Sequence, residues 1–562
     1  MGQSHEEVTA TLIAPGQLFE IEEREIRGVA TKVWKLAPPS LKAVLEQSRG
    51  HGDKTFLVYE EERTTFEEHF QRAAALARVL VEDWGVKKGE RVAIAMRNYP
   101  EWPVAFWAAA SIGAVVVPLN SWWQGEELAY GLTDSGARVL FADGKRAALI
   151  EPHLASTAVE KIAVARAEGE LAGDRHRFDD LIAGASADST IPDVELDPED
   201  DATIFYTSGT TGKPKGALGT QRNICGNLLS LAFSQARAVV RAGKSLESLS
   251  AGGQNAQLLS VPFFHATGCH AILCGNLAFG GKLVMMYKWD PEHALELIER
   301  ERITSFGGVP AMVWQVLESP DFAKRDLSSV KGVGYGGAPA APELVRRIKE
   351  VFPDVSPGNG YGLTETSSVT TYNGGDDYVN NPDSVGQPVP VCDVKVVGHD
   401  GSEVPTGEVG ELWIKGPNVV KGYWNKPEAT AETFTDGWLH SGDLARVDAD
   451  GFVYIVDRAK DMLIRGGENV YCVEIEDVLY DHPDVTDAAV VGLPDKVLGE
   501  EVGAVVQLRD GASVTEDDLR AHVAGKLAAF KVPKRIDLRS EPLPRNANGK
   551  ILKQQLREEM TA

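Results

Sequence analysis

From Phe56 onward, short runs rich in Val, Ile and Leu alternate with longer stretches whose apolar residues recur every three or four positions. FLVYEE, RVAIAMRN and AVVVPL read as buried strands, and TTFEEHFQRAAALARVLVEDWG, between the first two, reads as an amphipathic helix. Thr65 followed by Glu68 is the pairing that caps a helix start, so that helix is expected to begin there. The most apolar run, Val104 to Val117, is interrupted by Gly113. It falls short of the roughly 20 residues a membrane-spanning helix requires and predicts a short helix followed by a strand. Such alternation is the βαβ rhythm of a sheet flanked by helices.

The rhythm resumes after Ala202, with ATIFYTSG, QLLSVPFF, KLVMMYK, SFGGVP and KGVGYGGA as strand-and-loop candidates and DPEHALELIERER as a helix. From about Val385 to Val456 the texture changes to strands and glycine turns, as in CDVKVVGHDGSEVP and VGELWIKGP, which predicts a small β-barrel-like element. The last stretch is mixed: TDAAVVGL and VGAVVQLR read as strands, and SVTEDDLRAHVAGKLA as a helix starting at a Ser or Thr cap. A chain of 562 residues is too long for one core. The expected fold is therefore α/β: a large N-terminal domain of βαβ-type sheets plus the β-barrel-like element over residues 1–457, a junction at 458–460, and a small α+β domain over 461–562.

Charge narrows the choice of partners. A formal net charge of -25 argues against a broad surface for nucleic acid or anionic membrane, so a phosphate-bearing ligand needs a specific local site. The five cysteines, Cys225, Cys269, Cys274, Cys392 and Cys472, form no CxxC pair or metal-ligand spacing, which fits a reducing compartment. The opening MGQSHEEVTA has no basic-then-apolar secretory pattern, and a cytoplasmic protein without a transmembrane segment is expected.

The segment YTSGTTGKPKG, Tyr206 to Gly216, carries the most chemistry. It follows an apolar strand and packs hydroxyls, glycines and two lysines into one loop, the composition that lets backbone N–H groups and side chains approach phosphate oxygens. Its spacing is not that of a Walker A loop.

In this loop the sequence resembles the adenylate-forming enzymes, a superfamily of acyl-CoA synthetases, luciferases and peptide-synthetase adenylation domains, and within it the fatty-acid-CoA ligases. Six further stretches match in the same order: GGAPAAPEL from Gly336, NGYGLTE from Asn359, GELWIKGPNVVKGYW from Gly410, WLHSGDLA from Trp438, YIVDRAKDMLIRGGENVYCVEIE from Tyr454 and PRNANGK from Pro544. The resemblance implies an ATP-dependent ligase that makes an acyl-adenylate from a carboxylic acid, releases pyrophosphate, and passes the acyl group to coenzyme A with release of AMP. ATP, Mg2+ and coenzyme A are the implied co-substrates and cofactor. Carrier-protein loading and luciferase-like oxidation of the adenylate stay open as alternatives, and so does a homodimer.

Residue by residue, the resemblance implies that Thr207, Ser208, Gly209, Thr210, Thr211 and Lys215 meet the β- and γ-phosphates. Gly336, Ala338, Pro339, Asn359, Gly360, Tyr361 and Gly362 are implied in nucleotide binding, with the Tyr361 ring on adenine. Thr364 is expected at the α-phosphate, Glu365 at Mg2+, Asp443 at the ribose hydroxyls with Arg458 assisting, and Lys550 at the substrate carboxylate and α-phosphate. A lysine there offsets charge concentrating between two anions, which is electrostatic transition-state stabilisation. Lys460 stands at the hinge about which the mobile small domain rotates, and Gly467 where pantetheine passes. His265 and Val309 fall in the acyl site. No arginine or lysine occurs from Val261 to Gly275, which favours a medium- or long-chain fatty or hydrophobic aryl acid over a dicarboxylate. Where related sequences read NVYPxEIE, this chain has Cys472 in the proline place, expected as a packing residue.

Overall fold

The computed structural model describes residues 4–171, 173–207, 213–249, 253–337, 342–465, 468–546 and 549–561. Two large sheets share one core. The first has seven strands in the order Lys215–Thr220, Asp201–Thr207, Val115–Pro118, Arg91–Ala95, Val139–Asp143, Lys161–Ala165 and Arg175–Arg177. All but the first run parallel, so their carboxyl ends leave from one edge. The second has nine strands, with Ser356–Tyr361, Gly332–Gly336, Ser305–Gly308 and Ala256–Leu259 side by side and parallel.

The helix expected from the most apolar run spans Glu101–Ser111 and is buried on every face. An all-apolar helix is stable only where both sides are covered. Its Trp102 ring stacks on Phe106 at 5.6 Å and on Phe263 at 4.9 Å, and the same core includes Val92 and Ile94 of the first sheet and Leu259, Leu283 and Met285 of the second. Gly113, at φ 72°, turns the chain so that the strand can start at Val115. The capping box also forms as read: Thr65 Oγ1 accepts from the Glu68 N–H at 3.1 Å, and the Glu68 carboxylate accepts from the Thr65 N–H at 2.8 Å.

A third sheet, antiparallel, contains Asp393–Val397, Gly410–Lys415, Phe434–Thr435, Trp438–Val447 and Val453–Arg458. After Arg458 the chain enters a separate sheet built on the long antiparallel pair Val485–Asp495 and Gly499–Leu508, with Arg535–Arg539 parallel to the latter. This sheet has its own core, in which Leu463, Val470, Ile475 and Leu479 meet Val490, Val502, Ala504 and Val506, completed by Leu519 from the Thr515-capped helix.

The described residues before Phe56 include a helix and a hairpin. Helix His5–Leu12 and the hairpin Ile21–Ile26/Val29–Trp34 pack Val8, Leu12, Phe19 and Trp34 against Phe233, Val389 and Val391. Arg27 donates to the Val419 carbonyl at 3.0 Å, and Lys32 pairs with Asp393 at 2.7 Å. No helix among the described residues is long and apolar enough to cross a membrane.

Replacing Trp102 by Ala removes the ring around which the shared core is layered and is expected to cost about 3–5 kcal/mol of large-domain stability. Denaturant unfolding followed by tryptophan fluorescence and circular dichroism measures it; a loss below about 1 kcal/mol, typical of an exposed site, would contradict the packing described.

Candidate functional site

The carboxyl edges of the two large sheets, the third sheet and the small C-terminal sheet enclose one cleft of about 2120 Å³. Thr207 ends its strand opposite Lys215, the two pair in register, and both line the cleft. Lys215 Nζ lies 4.9 Å from the Tyr423 ring. Of the residues assigned to this loop, Ser208, Gly209, Thr210 and Thr211 lie outside the described residues, as do Ala338, Pro339 and Gly467.

Gly336 and Gly360 face each other across paired strands, and a Cβ on Gly336 would stand 2.4 Å from the Gly360 carbonyl oxygen. Glycine is what lets the strand ends approach beneath the cleft. Asn359, Gly360, Tyr361 and Gly362 continue from there, and a Cβ on Gly362 would be 1.4 Å from the Ser368 carbonyl oxygen. The chain then makes the tight turn Thr364–Thr366, closed by the Thr366 hydroxyl accepting from the Leu363 N–H at 2.8 Å. That turn presents Thr364 and Glu365 to the cleft. Glu365 Oε1 accepts from the Tyr423 hydroxyl at 2.7 Å.

Tyr361 donates its hydroxyl to Asp443 Oδ2 at 2.6 Å, and Arg458 Nε holds Asp443 Oδ1 at 2.7 Å. Asp443 is 2% exposed. Each carboxylate oxygen has a second acceptor position, so these contacts orient Asp443 without exhausting it. Burial and then the neighbouring Asp443 push the Tyr361 phenol well up, keeping it a neutral donor.

Lys550 arrives from the C-terminal sheet on a loop closed on itself: its N–H donates to Asn546 Oδ1 at 3.0 Å, and the Asn546 N–H donates to its carbonyl at 2.8 Å. Gly549 beside it, at φ 75°, abuts Val309, where a Cβ would stand 2.8 Å from Cγ2. Burial, with Arg458 second, pulls the Lys550 amine down to about 8, while Asp443 and Glu365 act in the opposite sense. His265 lies on the same wall; burial and the nearby Lys550 lower its ring to about 3, so it is neutral. Its Nε2 is buried without a hydrogen-bond partner.

The structure thus gathers Thr207, Lys215, His265, Val309, Gly336, Asn359, Tyr361, Thr364, Glu365, Asp443, Arg458, Lys460 and Lys550 around one space. Lys460 is exposed, in the turn that leads out of the third sheet. Two residues escaped the sequence reading. Tyr423 orients Glu365 from 58 residues away. Asp457, raised to about 6 chiefly by burial, accepts from the N–H groups of Arg458 at 2.7 Å and Cys472 at 2.5 Å. Cys472 is fully buried, as a packing residue should be, and its backbone N–H makes a bond that proline in its place could not. Among the described residues no group of three His, Cys, Asp or Glu side chains converges as a metal site. A cation beside Glu365 would take one carboxylate and complete its shell with ligand phosphates and water, an arrangement that suits magnesium.

Comparison with known proteins agrees with this geometry. Residues 44–424 match the family described as AMP-binding enzyme, and residues 474–550 match the AMP-binding enzyme C-terminal domain. The chain is 37% identical over 493 residues to the feruloyl-CoA synthase of an Amycolatopsis species, covering 88% of this chain and 93% of that one. It is 33% identical over 554 residues to a long-chain-fatty-acid–CoA ligase of Bacillus subtilis, covering 93% and 95%. Among solved structures, ATP-bound MatB from Rhodopseudomonas palustris superposes with a TM-score of 0.81 at 31% identity over 92% of this chain and 98% of that one. The anthranilate CoA ligase AuaEII with anthranoyl-AMP gives 0.83 at 27% identity over 93% and 97%.

Asp443→Asn removes the charge that Tyr361 and Arg458 orient, and ATP affinity measured by equilibrium dialysis is expected to fall roughly tenfold or more. Unchanged affinity would reduce Asp443 to a structural partner of Arg458.

Proposed function

Because the chain belongs to the AMP-binding enzyme family and is an acid–thiol ligase that forms an acyl-CoA through an acyl-adenylate, we propose which residues carry each step and which acids it takes. The observation that carries the proposal is the Lys550 amine in one cleft with Asp443, Glu365 and a neutral His265.

ATP binds with its ribose hydroxyls on Asp443, its adenine along Tyr361 and its outer phosphates toward Thr207 and Lys215. Thr364 lies at the α-phosphate. Mg2+ held by Glu365 and the phosphates supplies charge neutralisation when bound. The acid lies with its tail against Val261, Val309, Pro310, Ala311 and Trp314, which line the cleft beside His265. As a carboxylate oxygen attacks the α-phosphorus and pyrophosphate leaves, negative charge concentrates between two anions. Lys550, held in place by its Asn546 loop, offsets that charge without reorganising. His265 stays neutral and positions the carboxylate end of the tail channel.

The thiol must then reach the acyl carbonyl where Lys550 stood. Residues 458–460 serve as a hinge between a large domain ending at 457 and a small one beginning at 461; Gly467, expected on the thiol's path, lies outside the described residues. Supporting this division, the C-terminal sheet has its own core. Rotation about a few backbone torsions is the economical way to exchange one face of the small domain for another.

The acids proposed are fatty acids of medium or long chain and hydrophobic aryl acids. The apolar wall supports this class, and both the feruloyl-CoA synthase and the fatty-acid ligase among the relatives bear names within it. Such a wall discriminates weakly between neighbouring chain lengths. Pyrophosphate release with ATP and Mg2+ over short, medium, long-chain and aryl acids, with and without coenzyme A, tests it: turnover should require a hydrophobic acid and rise with coenzyme A. Release favouring short dicarboxylates would refute the substrate class.

The protonated Lys550 amine is the competent form. As pH rises through about 8 the ammonium loses its proton and its charge, so kcat/KM for adenylation is expected to decline on the alkaline side. Lys550→Arg, which keeps its charge, should be slower and lack that decline. A wild-type profile flat to beyond about pH 9 would contradict the role, since free-enzyme titration shows in kcat/KM.

A further inference from the structure

Tyr423 stands where two parts of the cleft that lie far apart in the sequence meet. Its hydroxyl donates to Glu365 Oε1 at 2.7 Å, and its ring lies 4.9 Å from Lys215 Nζ. The three residues come from three different stretches: Lys215 opens the strand Lys215–Thr220, Glu365 sits in the turn Thr364–Thr366, and Tyr423 lies in the connection after the strand Gly410–Lys415. All three line the cleft. A tyrosine that served only to pack would need neither polar contact, because its ring already meets Phe434 edge-on at 5.8 Å.

The main chain around Tyr423 is fixed from both sides. Residues 421–424 run antiparallel to Lys215–Thr220: Tyr423 bridges Ala217, the Lys421 N–H donates to the Leu218 carbonyl at 2.9 Å, the Leu218 N–H to the Gly422 carbonyl at 2.9 Å, and the Trp424 N–H to the Gly216 carbonyl at 2.7 Å. On the other side the Val420 N–H donates to the Glu365 carbonyl at 3.0 Å, so one short segment holds Glu365 by its backbone and by its carboxylate. The Val419 carbonyl accepts from Asn223 Nδ2 at 3.1 Å and from Arg27 at 3.0 Å, the Lys421 amine pairs with Asp201 at 2.6 Å, and the Tyr423 N–H donates to Thr430 Oγ1 at 2.9 Å. Gly422, at φ 144°, has no room for a side chain: a Cβ there would run into Thr430. The tyrosine is therefore delivered to its two partners by a rigid support.

Each contact serves a different part of a metal-bound triphosphate. The hydroxyl takes one carboxylate oxygen of Glu365 and leaves Oε2 without a protein partner among the described residues, so the carboxylate is presented in one orientation. Outer hydrogen bonds of that kind govern metal affinity by roughly ten- to a hundredfold. The ring holds a lysine ammonium at its face, an attraction that exists before any ligand arrives and reduces the rotamer entropy the long side chain loses on meeting a phosphate.

We propose that Tyr423 is the positioning residue that sets the spacing between the two positive charges acting on the ATP phosphates, orienting Glu365 for the metal ion through its hydroxyl and stationing Lys215 through its ring. The assignment rests on the ligase reading above, in which Glu365 meets Mg2+ and Lys215 the outer phosphates. Because the two contacts use different parts of one side chain, they can be removed one at a time.

Tyr423→Phe removes the hydroxyl and keeps the ring, and Tyr423→Leu removes both. Two equilibrium measurements on the full chain separate them: Mn2+ binding followed by electron paramagnetic resonance with α,β-methylene-ATP present, and ATP affinity by equilibrium dialysis in EDTA. In Tyr423→Phe, Mn2+ affinity is expected to fall roughly tenfold or more while metal-free ATP affinity keeps its wild-type value. In Tyr423→Leu the same metal loss should be joined by a roughly two- to fivefold loss of metal-free ATP affinity, the scale of an exposed cation–π contact. A mere loosening of the segment would lower both affinities together in Tyr423→Phe; that outcome, or unchanged Mn2+ affinity in Tyr423→Phe, overturns the proposal. Metal-free ATP affinity unchanged in folded Tyr423→Leu overturns the role of the ring. If Tyr423→Leu does not fold, pentafluorophenylalanine at position 423 keeps the ring's shape and reverses the charge of its face, and metal-free affinity equal to that of Tyr423→Phe then overturns the same role. A wild type that binds Mn2+ no better with the nucleotide than without it would overturn the placing of a metal between Glu365 and the phosphates, a failure of the underlying reading distinct from the others.

Discussion

On the proposed mechanism, the main cleft depends on keeping one lysine amine charged and out of bulk water while it is carried by a different sheet from Asp443 and Glu365. Asp443 and Glu365 hold the Lys550 amine toward its charged form, and burial works against them. The pieces that deliver it are slight. A Cβ on Gly549 would meet Val309, so the two stand close, and Arg509, just past the strand Gly499–Leu508, reaches Glu318 at the end of helix Pro310–Glu318 through a partly exposed ion pair at 2.6 Å. Pairs of that kind contribute about 0–1 kcal/mol. An arrangement held so lightly is compatible with the proposed rotation of the small domain between half-reactions.

The same economy shows in the backbone around the nucleotide groups. Gly336 meets Gly360 and Gly362 meets Ser368 at distances that admit no side chain. Space is thereby made by removing atoms from the strand ends; Tyr361 ends its strand bonded to Asp443, and the tight turn that follows presents Thr364 and Glu365, the latter bonded to Tyr423. Tyr361 and Arg458 then settle Asp443 from opposite sides. Preorganisation here is mostly a property of the main chain.

How much of this could be read beforehand follows from the range of the interactions involved. The Thr65–Glu68 box, the Glu101–Ser111 helix and the strand before the hydroxyl-rich loop are set by neighbours in sequence, and the pattern exposed them. The cleft residues were legible because they sit in contiguous motifs. Tyr423 lies inside the matched stretch GELWIKGPNVVKGYW, but its pairing with Glu365 closes a long loop in sequence and no local pattern exposes that contact. The hairpin at 21–34 escaped because IEEREI has no clean two-residue alternation; its burial comes from residues far along the chain.

That hairpin has a consequence for biosynthesis. Its partners, Asp393, Val419 and the Gly437 turn against Val29, are made several hundred residues after it. During vectorial synthesis from the ribosome, residues 21–34 emerge early; Trp34 can meet Ser230 and Phe233 once helix Gln221–Arg241 is made, while the contacts to residues 393–437 wait through translation of nearly the whole large domain. With synthesis at about 5–20 residues per second, that interval is tens of seconds. The polar, acid-rich face of IEEREI keeps the waiting segment hydrated, so the last step in completing the large domain is the docking of its earliest-made strand.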